Sequence, residues 1–422
     1  MDTLSRLDWQ DKRILSLLIT TPLAALTVYH LIRTLLSPPQ PTRHIHRSPL
    51  PSAQNLPSSS LTTHPYPPTA LPGPRTTQTP TGALRAYEFG PKSGRKVLLI
   101  HGISTPCIAL ASLAQELAEN HNCRVCLFDL PGRGYSDCAD PESAPQDLEF
   151  FIAQIFYVLG SSPCPTSWLA DGEEGRFTIV GYSLGGGIAA GFASWFPRLV
   201  GSLVLIAPSG LLRAERIGRS SRLLYSGLLP QGLVGWLVGR RLRGGGSATP
   251  GTKGGNPEAT TGPGKAAVGE VPKEGEVGKP EHPALAKDSE ASLFSDRPGI
   301  SVANAVAWEL EAHPGFVPAF VSSIQHAPIT EQYDRWRVVG KRQELGRVTS
   351  ADDDAKACAL RERKTLVLLG ETDSVIVKDE TTEDARAAFG EENVQFDVLE
   401  GGHDVPIVNA KGCADAIAAF WQ

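Results

Sequence analysis

Ser183 is the residue of this sequence best placed to attack a carbonyl carbon. It stands at the centre of a Gly-Tyr-Ser-Leu-Gly stretch, which follows the short apolar run 177–180 and precedes a helix-competent segment, 188–196. A strand that turns sharply into a helix holds a serine hydroxyl in the open. Gly181 and Gly185 lack the side chains that would collide in so tight a turn. The free N–H groups of the following helix favour negative charge near the hydroxyl.

A carboxylate and a histidine follow two later predicted strands. Asp373 comes shortly after the strand predicted at 365–369, and His403 comes shortly after the strand predicted at 394–399. Because parallel strands end at one edge of a sheet, we expect both side chains to meet Ser183 there. A serine hydroxyl needs a base to take its proton, and the order serine, acid, histidine along the chain predicts that arrangement.

The rest of the sequence predicts the sheet that would bring these residues together. Short apolar runs alternate with helical apolar spacing, which is typical of parallel strands covered by helices on both faces. The alternation predicts an α/β fold with a mostly parallel, doubly wound sheet. Strands are expected at 97–100, 124–128, 177–180, 202–206, 365–369 and 394–399, and helices at 109–119, 148–159, 188–196, 380–389 and 410–420.

From residue 82 to residue 422 the sequence resembles the serine hydrolases of the α/β-hydrolase fold. The resemblance implies a helical lid inserted after the sixth strand of that fold, which here is the strand expected at 202–206. The turn at 129–137, after the strand expected at 124–128, is similar to that of the esterase and lipase-like branch that includes monoacylglycerol lipases. The motifs that carry the resemblance are His-Gly-Ile at 101–103, Asp-Leu-Pro-Gly-Arg-Gly-Tyr-Ser-Asp at 129–137, Gly-Tyr-Ser-Leu-Gly-Gly at 181–186, Gly-Glu-Thr-Asp at 370–373 and Gly-Gly-His at 401–403.

The resemblance also implies roles for single residues. Ser183 would be the nucleophile, His403 the general base, and Asp373 the acid that orients the histidine. The backbone N–H groups of Ile103 and Leu184 would form the oxyanion hole. Neither a metal nor a cofactor is implied.

Three other carboxylates, Glu371, Asp379 and Asp404, lie close enough in the sequence to compete for the role of acid. Asp373 is favoured because it stands three residues after Gly370, as the acid does in the family. By the same resemblance, His101, Asp129 and Arg133 are expected to support the turns around the site.

The sequence outside the sheet predicts an anchor, a tether and a lid. Residues 1–36 are predicted to anchor the chain in a membrane as a single N-terminal span, because the run 14–32 is uncharged, largely apolar and about long enough to cross a bilayer. Residues 37–81 are rich in Pro, Ser and Thr and predict an extended tether, so the hydrolase domain would be 82–422. The lid would occupy about 209–362 and would contain a disordered insertion, 244–289, rich in Gly, Pro, Lys and Glu.

The charge composition disfavours one class of partner, and the remaining features predict the class of substrate. The net charge of −5 and the lack of a long basic block disfavour nucleic acid as a partner. We expect a membrane-tethered hydrolase of carboxylic esters, lipid-like or otherwise apolar, with Trp308, Phe316, Val317 and Phe320 lining the acyl site. Thioester cleavage, acyl transfer or carbon–carbon bond hydrolysis by the same triad stays open. A catalytically silent, membrane-tethered binding protein is the alternative from another class.

Overall fold

The computed structural model describes residues 22–30, 32, 44–163, 168–170, 172–243, 290–294, 297, 299–348 and 353–422. The chain divides into two units, Met1–His44 and Ile45–Gln422. In the first unit, residues 22–30 are helical, and large apolar side chains such as Leu23 and Leu26 are exposed. The second unit contains all the strands of the described residues.

The second unit alternates strands with helices. Its strands are β1 (Ile45–His46), β2 (Pro74–Thr79), β3 (Gly82–Phe89), β4 (Arg95–Ile100), β5 (Cys123–Phe128), β6 (Cys138–Ala139), β7 (Phe177–Tyr182), β8 (Val200–Ile206), β9 (Thr365–Gly370) and β10 (Val394–Leu399). Its helices are α1 (Leu50–Gln54), α2 (Ser58–Leu61), α3 (Ala111–Asn120), α4 (Leu148–Gly160), α5 (Leu184–Trp195), α6 (Arg219–Leu224), α7 (Gln231–Leu242), α8 (Val302–Ala312), α9 (Phe316–His326), α10 (Tyr333–Val348), α11 (Asp353–Cys358), α12 (Lys378–Phe389), α13 (Val405–Val408) and α14 (Ala410–Phe420).

Eight strands form one sheet in the order β10-β9-β8-β7-β4-β5-β3-β2. β3 is antiparallel to both β2 and β5, and the remaining neighbours are parallel. The chain runs outward from β4 to β5 and then returns past β4 to β7, so the strand order reverses beside β4. Such a reversal opens a crevice at the carboxyl ends of the strands, where α/β proteins bind ligands. The predicted mostly parallel, doubly wound α/β fold is confirmed.

The central strands are apolar because helices cover both faces of the sheet. Every residue of β5, β7, β8 and β9 is buried. The strands and helices predicted for the sheet are all present, and the largest shift is at α5, which begins at Leu184 rather than at residue 188. The apolar patterns of the sequence were therefore sufficient to locate the strands of the sheet and the helices that cover it.

The predicted tether, 37–81, is wrong from Ile45 onward, where the chain is folded into the domain. β2 pairs antiparallel with β3 along its whole length, so Pro74–Thr79 is an edge strand of the sheet. Pro74 is tolerated because it is the first residue of an edge strand. Tyr66 and Leu71 are buried. The prediction relied on the average composition of the segment and overlooked these few large side chains. The domain therefore begins near residue 45 rather than at residue 82.

Two other predicted segments lie largely or wholly outside the described residues. They are the anchor 1–36, of which residues 22–30 and 32 are described, and the insertion 244–289. Among the helices that the structure describes, none combines the length and the apolar character that crossing a membrane requires.

A helical segment, α6–α11, separates β8 from β9. β8 is the sixth strand of the large sheet in chain order, so these helices lie where the lid was expected. We call residues 209–362 the lid segment; its action as a lid stays a prediction. Helices α7, α8 and α9 meet in an apolar cluster of their own, which we call the lid cluster: Val234, Val238, Leu242, Val306, Leu310, Phe316, Phe320 and Val321.

Candidate active site

Ser183 occupies the turn between β7 and α5 in a strained conformation. Its φ of 53° and ψ of −117° lie where a residue with a side chain is rarely found. The backbone around it holds that conformation. Its N–H donates to the carbonyl of Ile206 at 3.0 Å, and its own carbonyl accepts from Gly186 and Ser209, each at 2.9 Å. Ser183 is half-buried between the buried residues Tyr182 and Leu184, so its hydroxyl can meet a substrate.

The two glycines of the motif are required by close backbone contacts. A Cβ added to Gly181 would lie 2.1 Å from the carbonyl oxygen of Gly185. A Cβ added to Gly185 would lie 2.1 Å from the carbonyl oxygen of Ile100, at the end of β4. Both distances are far inside van der Waals contact. The glycines therefore let α5 begin directly against the ends of β4 and β7.

The structure brings His403 and Asp373 to Ser183. His403 Nε2 lies 3.1 Å from Ser183 Oγ, and His403 Nδ1 lies 2.9 Å from Asp373 Oδ2. The other carboxylate oxygen of Asp373, Oδ1, accepts from the N–H groups of Val375 (2.7 Å) and Ile376 (2.8 Å). The side chain of Asp373 is fully buried. These bonds fix the carboxylate and leave one oxygen facing the imidazole.

The competing carboxylates have other surroundings. Asp404 Oδ1 accepts a hydrogen bond from the hydroxyl of Tyr182, and Glu371 and Asp379 are exposed. Tyr182 also lies beside the histidine, with its ring centroid 5.5 Å from that of His403. The sequence analysis did not predict that Tyr182 would contact the site residues. Its position next to Ser183 in the motif is the signal that could have suggested this contact.

The loop after β4, which carries Ile103, passes directly against the serine. A Cβ on Gly102 would lie 3.3 Å from the Cβ of Ser183. Leu184 is the first residue of α5 and directly follows Ser183, so its N–H has no partner within the helix. Both backbone groups predicted to form the oxyanion hole therefore belong to segments that adjoin Ser183.

His101 supports this loop from inside the protein. It is fully buried, its Nε2 accepts from the N–H of Leu130 at 2.8 Å, and its Nδ1 lies 2.8 Å from the carbonyl oxygen of Gly102. Burial lowers the pKa of His101 to about 3, so the ring is neutral and Nδ1–H donates to Gly102. The hydrogen bonds match the supporting role expected for this residue.

Asp129 and Arg133 hold the turn after β5, again as expected. The Asp129 carboxylate accepts from the N–H groups of Cys107 (2.8 Å) and Tyr135 (2.9 Å) and from the hydroxyl of Tyr66 (3.0 Å). Tyr66 lies in the segment that was predicted to be a tether. That segment is therefore part of the support for the site.

The apolar residues predicted to line an acyl site separate into two groups. Phe316 and Phe320 belong to the lid cluster, and Val317 and Ile103 pack against that cluster. Trp308 instead packs among other rings, within 5.9 Å of each by centroid: His64, Tyr66 and Tyr135. The lid cluster thus adjoins the predicted oxyanion loop, whereas Trp308 fastens the lid segment to residues 64–66.

Comparison with curated proteins finds partial relatives. A "Serine hydrolase-like protein" of Danio rerio is 31% identical over 136 residues, which cover 32% of this chain and 38% of that protein. Lipase LipV of Mycobacterium tuberculosis is 28% identical over 134 residues, 32% of this chain and 45% of the lipase. This chain therefore matches less than half the length of either relative.

Comparison with solved structures supports the fold. The crystal structure of "a putative lipase (lip1)" from Acinetobacter baumannii AYE superposes with a TM-score of 0.52 at 17% identity, over 83% of this chain and 91% of the other. Residues 97–416 match the Alpha/beta hydrolase family, and this range includes all the predicted site residues. The chain belongs to the alpha/beta hydrolase family.

Proposed function

We propose that this protein is a serine hydrolase that cleaves carboxylic esters through an acyl-enzyme. The observation that carries the proposal is the unbroken hydrogen-bonded path from Ser183 Oγ through His403 to the buried Asp373 carboxylate. Esterases and lipases among the partial relatives agree with it.

The geometry suggests how the residues would divide the reaction. His403 Nε2 takes the hydroxyl proton as Ser183 Oγ bonds to the ester carbonyl carbon. The Asp373 carboxylate holds Nδ1–H and stabilises the imidazolium that forms. The N–H groups of Ile103 and Leu184 bind the carbonyl oxygen as it becomes negative, a contribution of about 3 kcal/mol per donor.

The second half of the reaction uses the same groups in reverse. His403 returns the proton to the leaving alcohol, and the acyl group stays on Ser183. Water, deprotonated by His403, then attacks the acyl carbon, and the acid leaves as the proton returns to Ser183 Oγ. The products are one carboxylic acid and one alcohol.

An apolar acyl group is the substrate that fits best. Ile103 lies at the boundary between the site and the lid cluster, so an acyl chain leaving the oxyanion region would meet aliphatic and aromatic carbon. We therefore propose lipid-like or other apolar esters as the substrate class. The preference is measurable as a rise in kcat/KM with acyl length.

Association with a membrane through residues 1–36 is a further part of the proposal. It is supported by the uncharged apolar run 14–32 and by the exposed Leu23 and Leu26 on the described part of that run. Alkaline carbonate extraction of membranes tests it directly. The full chain should stay in the pellet, and release into the supernatant would contradict a spanning anchor.

Ester turnover by the purified full chain tests the chemistry. Ser183→Ala should lower kcat for p-nitrophenyl butyrate by at least about 1,000-fold. Ser209→Ala is the matched control, because it keeps the backbone N–H of residue 209, which donates a hydrogen bond to the Ser183 carbonyl. The kcat of this variant should stay near that of the wild type. Equal activity of wild type and Ser183→Ala would contradict the proposal. Faster cleavage of acyl-CoA, or acyl transfer to an alcohol in preference to water, would favour the other reactions of the same triad.

A further inference from the structure

Arg133 lies beneath the site with every one of its donors in use. Its side chain is fully buried, and each of its five hydrogen bonds goes to an uncharged oxygen. The acceptors are the carbonyl oxygens of Ile103 (3.0 Å), Pro131 (3.0 Å) and Ala319 (3.5 Å), Gln146 Oε1 (2.6 Å) and Ser323 Oγ (2.9 Å).

These acceptors come from four separate parts of the fold. Pro131 is in the turn of Arg133 itself, and Gln146 precedes α4. Ile103 is in the loop after β4, and Ala319 and Ser323 are on α9 of the lid segment. A single guanidinium therefore joins the predicted oxyanion loop to the lid segment.

The connection to α9 is closed into a ring of hydrogen bonds. Ser323 Oγ accepts from Arg133 and donates to Gln146 Oε1 at 2.7 Å. The backbone N–H of Gln146 donates to the hydroxyl of the neighbouring Ser322 at 3.0 Å. Since Gln146 Oε1 also accepts from Arg133, a displacement of α9 would leave several buried polar groups without partners.

Burying a guanidinium whose hydrogen bonds all go to uncharged oxygens is costly for stability, because the charge loses its hydration. The nearby carboxyl of Glu309 acts on Arg133 electrostatically without a hydrogen bond to it. Burial lowers the pKa of Arg133 to about 10, so the group is still charged at neutral pH. No carboxylate among the described residues forms a hydrogen bond or an ion pair with it. A turn alone could be held by a neutral side chain, so the charged, five-donor group calls for a further role.

We propose that Arg133 is a positioning residue that sets the oxyanion loop according to the position of the lid segment. This inference rests on the proposed function, since it assigns the Ile103 N–H to the oxyanion hole. The hydrogen bond from Arg133 to the Ile103 carbonyl fixes the peptide plane that follows Ile103. The plane that precedes it carries the Ile103 N–H and is held by the bond from His101 Nδ1 to the Gly102 carbonyl, so the two bonds together restrict both backbone dihedral angles of Ile103. A donor preorganised in this way stabilises the transition state without affecting ground-state binding to the same extent.

The role of α9 follows from the same contacts. With α9 in place, Ser323 and Ala319 hold the Nη2 end of the guanidinium, and the Nε end is directed at Ile103. If α9 moves away, the guanidinium loses two acceptors and can turn from Ile103. The oxyanion hole would then be complete only when the lid segment covers the site.

Steady-state kinetics of the full chain on p-nitrophenyl butyrate test the inference. Arg133→Met keeps the bulk of the side chain and removes its donors. It should lower kcat about 100-fold and change KM by less than about 3-fold. Affinity for a trifluoromethyl ketone, whose adduct with Ser183 carries the oxyanion, should fall in parallel with kcat.

Two further variants separate positioning from stability. Ser323→Ala removes one of the two α9 acceptors without touching the loop, and it should lower kcat about 5- to 10-fold. Arg124→Met is the matched control, because Arg124 is also buried but is paired with Glu88 away from the site. It should lower the melting temperature and leave kcat per folded molecule unchanged.

Each outcome decides the inference. It is overturned if Arg133→Met folds and keeps kcat within 3-fold of the wild type, or if Arg124→Met loses kcat to the same extent. Should Arg133→Met fail to fold, Ser323→Ala decides, and a wild-type kcat and ketone affinity in that variant would refute the coupling. A wild type that turns over no ester would remove the proposed function and this inference together, whereas an active wild type with an unaffected Arg133→Met removes the inference alone.

Discussion

Replacing Asp373 by asparagine changes one atom of the site and reverses one hydrogen bond. The oxygen that accepts from Val375 and Ile376 must still accept, since both N–H groups lie within 2.8 Å of it. The amide oxygen of the substituted side chain would therefore take that place, and its NH2 group would face His403 Nδ1. Because an NH2 group only donates, Nδ1 must become the acceptor, and the ring proton moves to Nε2.

This tautomer cannot serve as the base. Nε2 then carries a proton where it should accept one from Ser183 Oγ, 3.1 Å away. In a serine protease triad the corresponding change lowers kcat by about 10⁴, which corresponds to about 5 kcal/mol of barrier. The side chain of Asp373 is fully buried, so bulk solvent does not reach the position of the carboxylate. We therefore expect a loss of between about 10³ and 10⁴ in kcat.

The assay is kcat for p-nitrophenyl butyrate between pH 6 and 9, with the melting temperature measured in parallel. Asp404→Asn is the matched control, because Asp404 bonds to Tyr182. It should keep kcat within about 10-fold of the wild type. An Asp373→Asn variant that melts like the wild type and keeps more than a tenth of its kcat would refute this reasoning. So would an Asp404→Asn variant that is damaged equally.

Three further predictions concern stability, each measured by thermal melting. Burial raises the pKa of Glu309 well above its usual value, so the wild type loses stability as the pH rises above the pKa of an unfolded glutamate. Glu309→Gln should therefore gain stability relative to the wild type from pH 5 to pH 8, and a constant difference would contradict the buried neutral acid. Gly185→Ala, whose Cβ would lie 2.1 Å from the Ile100 oxygen, should cost about 3 kcal/mol, while Gly232→Ala, with open space around it, should cost nothing. Tyr66→Ala should lower the free energy of unfolding by about 3–5 kcal/mol if residues 45–81 are part of the domain. An unchanged melting temperature would instead favour the original prediction of an extended tether.

The sheet and the positions of the site residues could be predicted because each site residue follows a predicted strand; β7 and β9 are buried, whereas β10, which precedes His403, is the edge strand. Ser183, Asp373 and His403 all lie just past the carboxyl ends of such strands, and a parallel sheet puts those ends on one rim. Their mutual distances needed the structure, because a local pattern does not specify how loops of different length close on one another.

The errors arose where a few side chains outweighed the average composition of a segment. Residues 45–81 contain many Pro, Ser and Thr, but the burial of Tyr66 and Leu71 and the pairing of β2 with β3 fold them into the domain. Trp308 was grouped with Phe316 by their shared apolar character, although tertiary packing directs the two to different clusters.

The contacts of Arg133 could not be found by sequence reasoning at all. The motif identifies it as part of a turn, and its bond to the Pro131 carbonyl fits that interpretation. Its partner Ser323, however, lies 190 residues along the chain on an inserted helix. Such a contact depends on where the lid segment docks, which no pattern within either segment encodes.

Mass spectrometry after reaction with a fluorophosphonate tests the central claim most directly. The reagent modifies a serine only when a base has activated it, so the full chain should gain one adduct, located on the peptide that contains Ser183. Ser183→Ala should gain none, and Asp373→Asn should react far more slowly than the wild type. An unmodified wild type, or an adduct that persists in Ser183→Ala, would contradict the claim that Ser183 is the nucleophile.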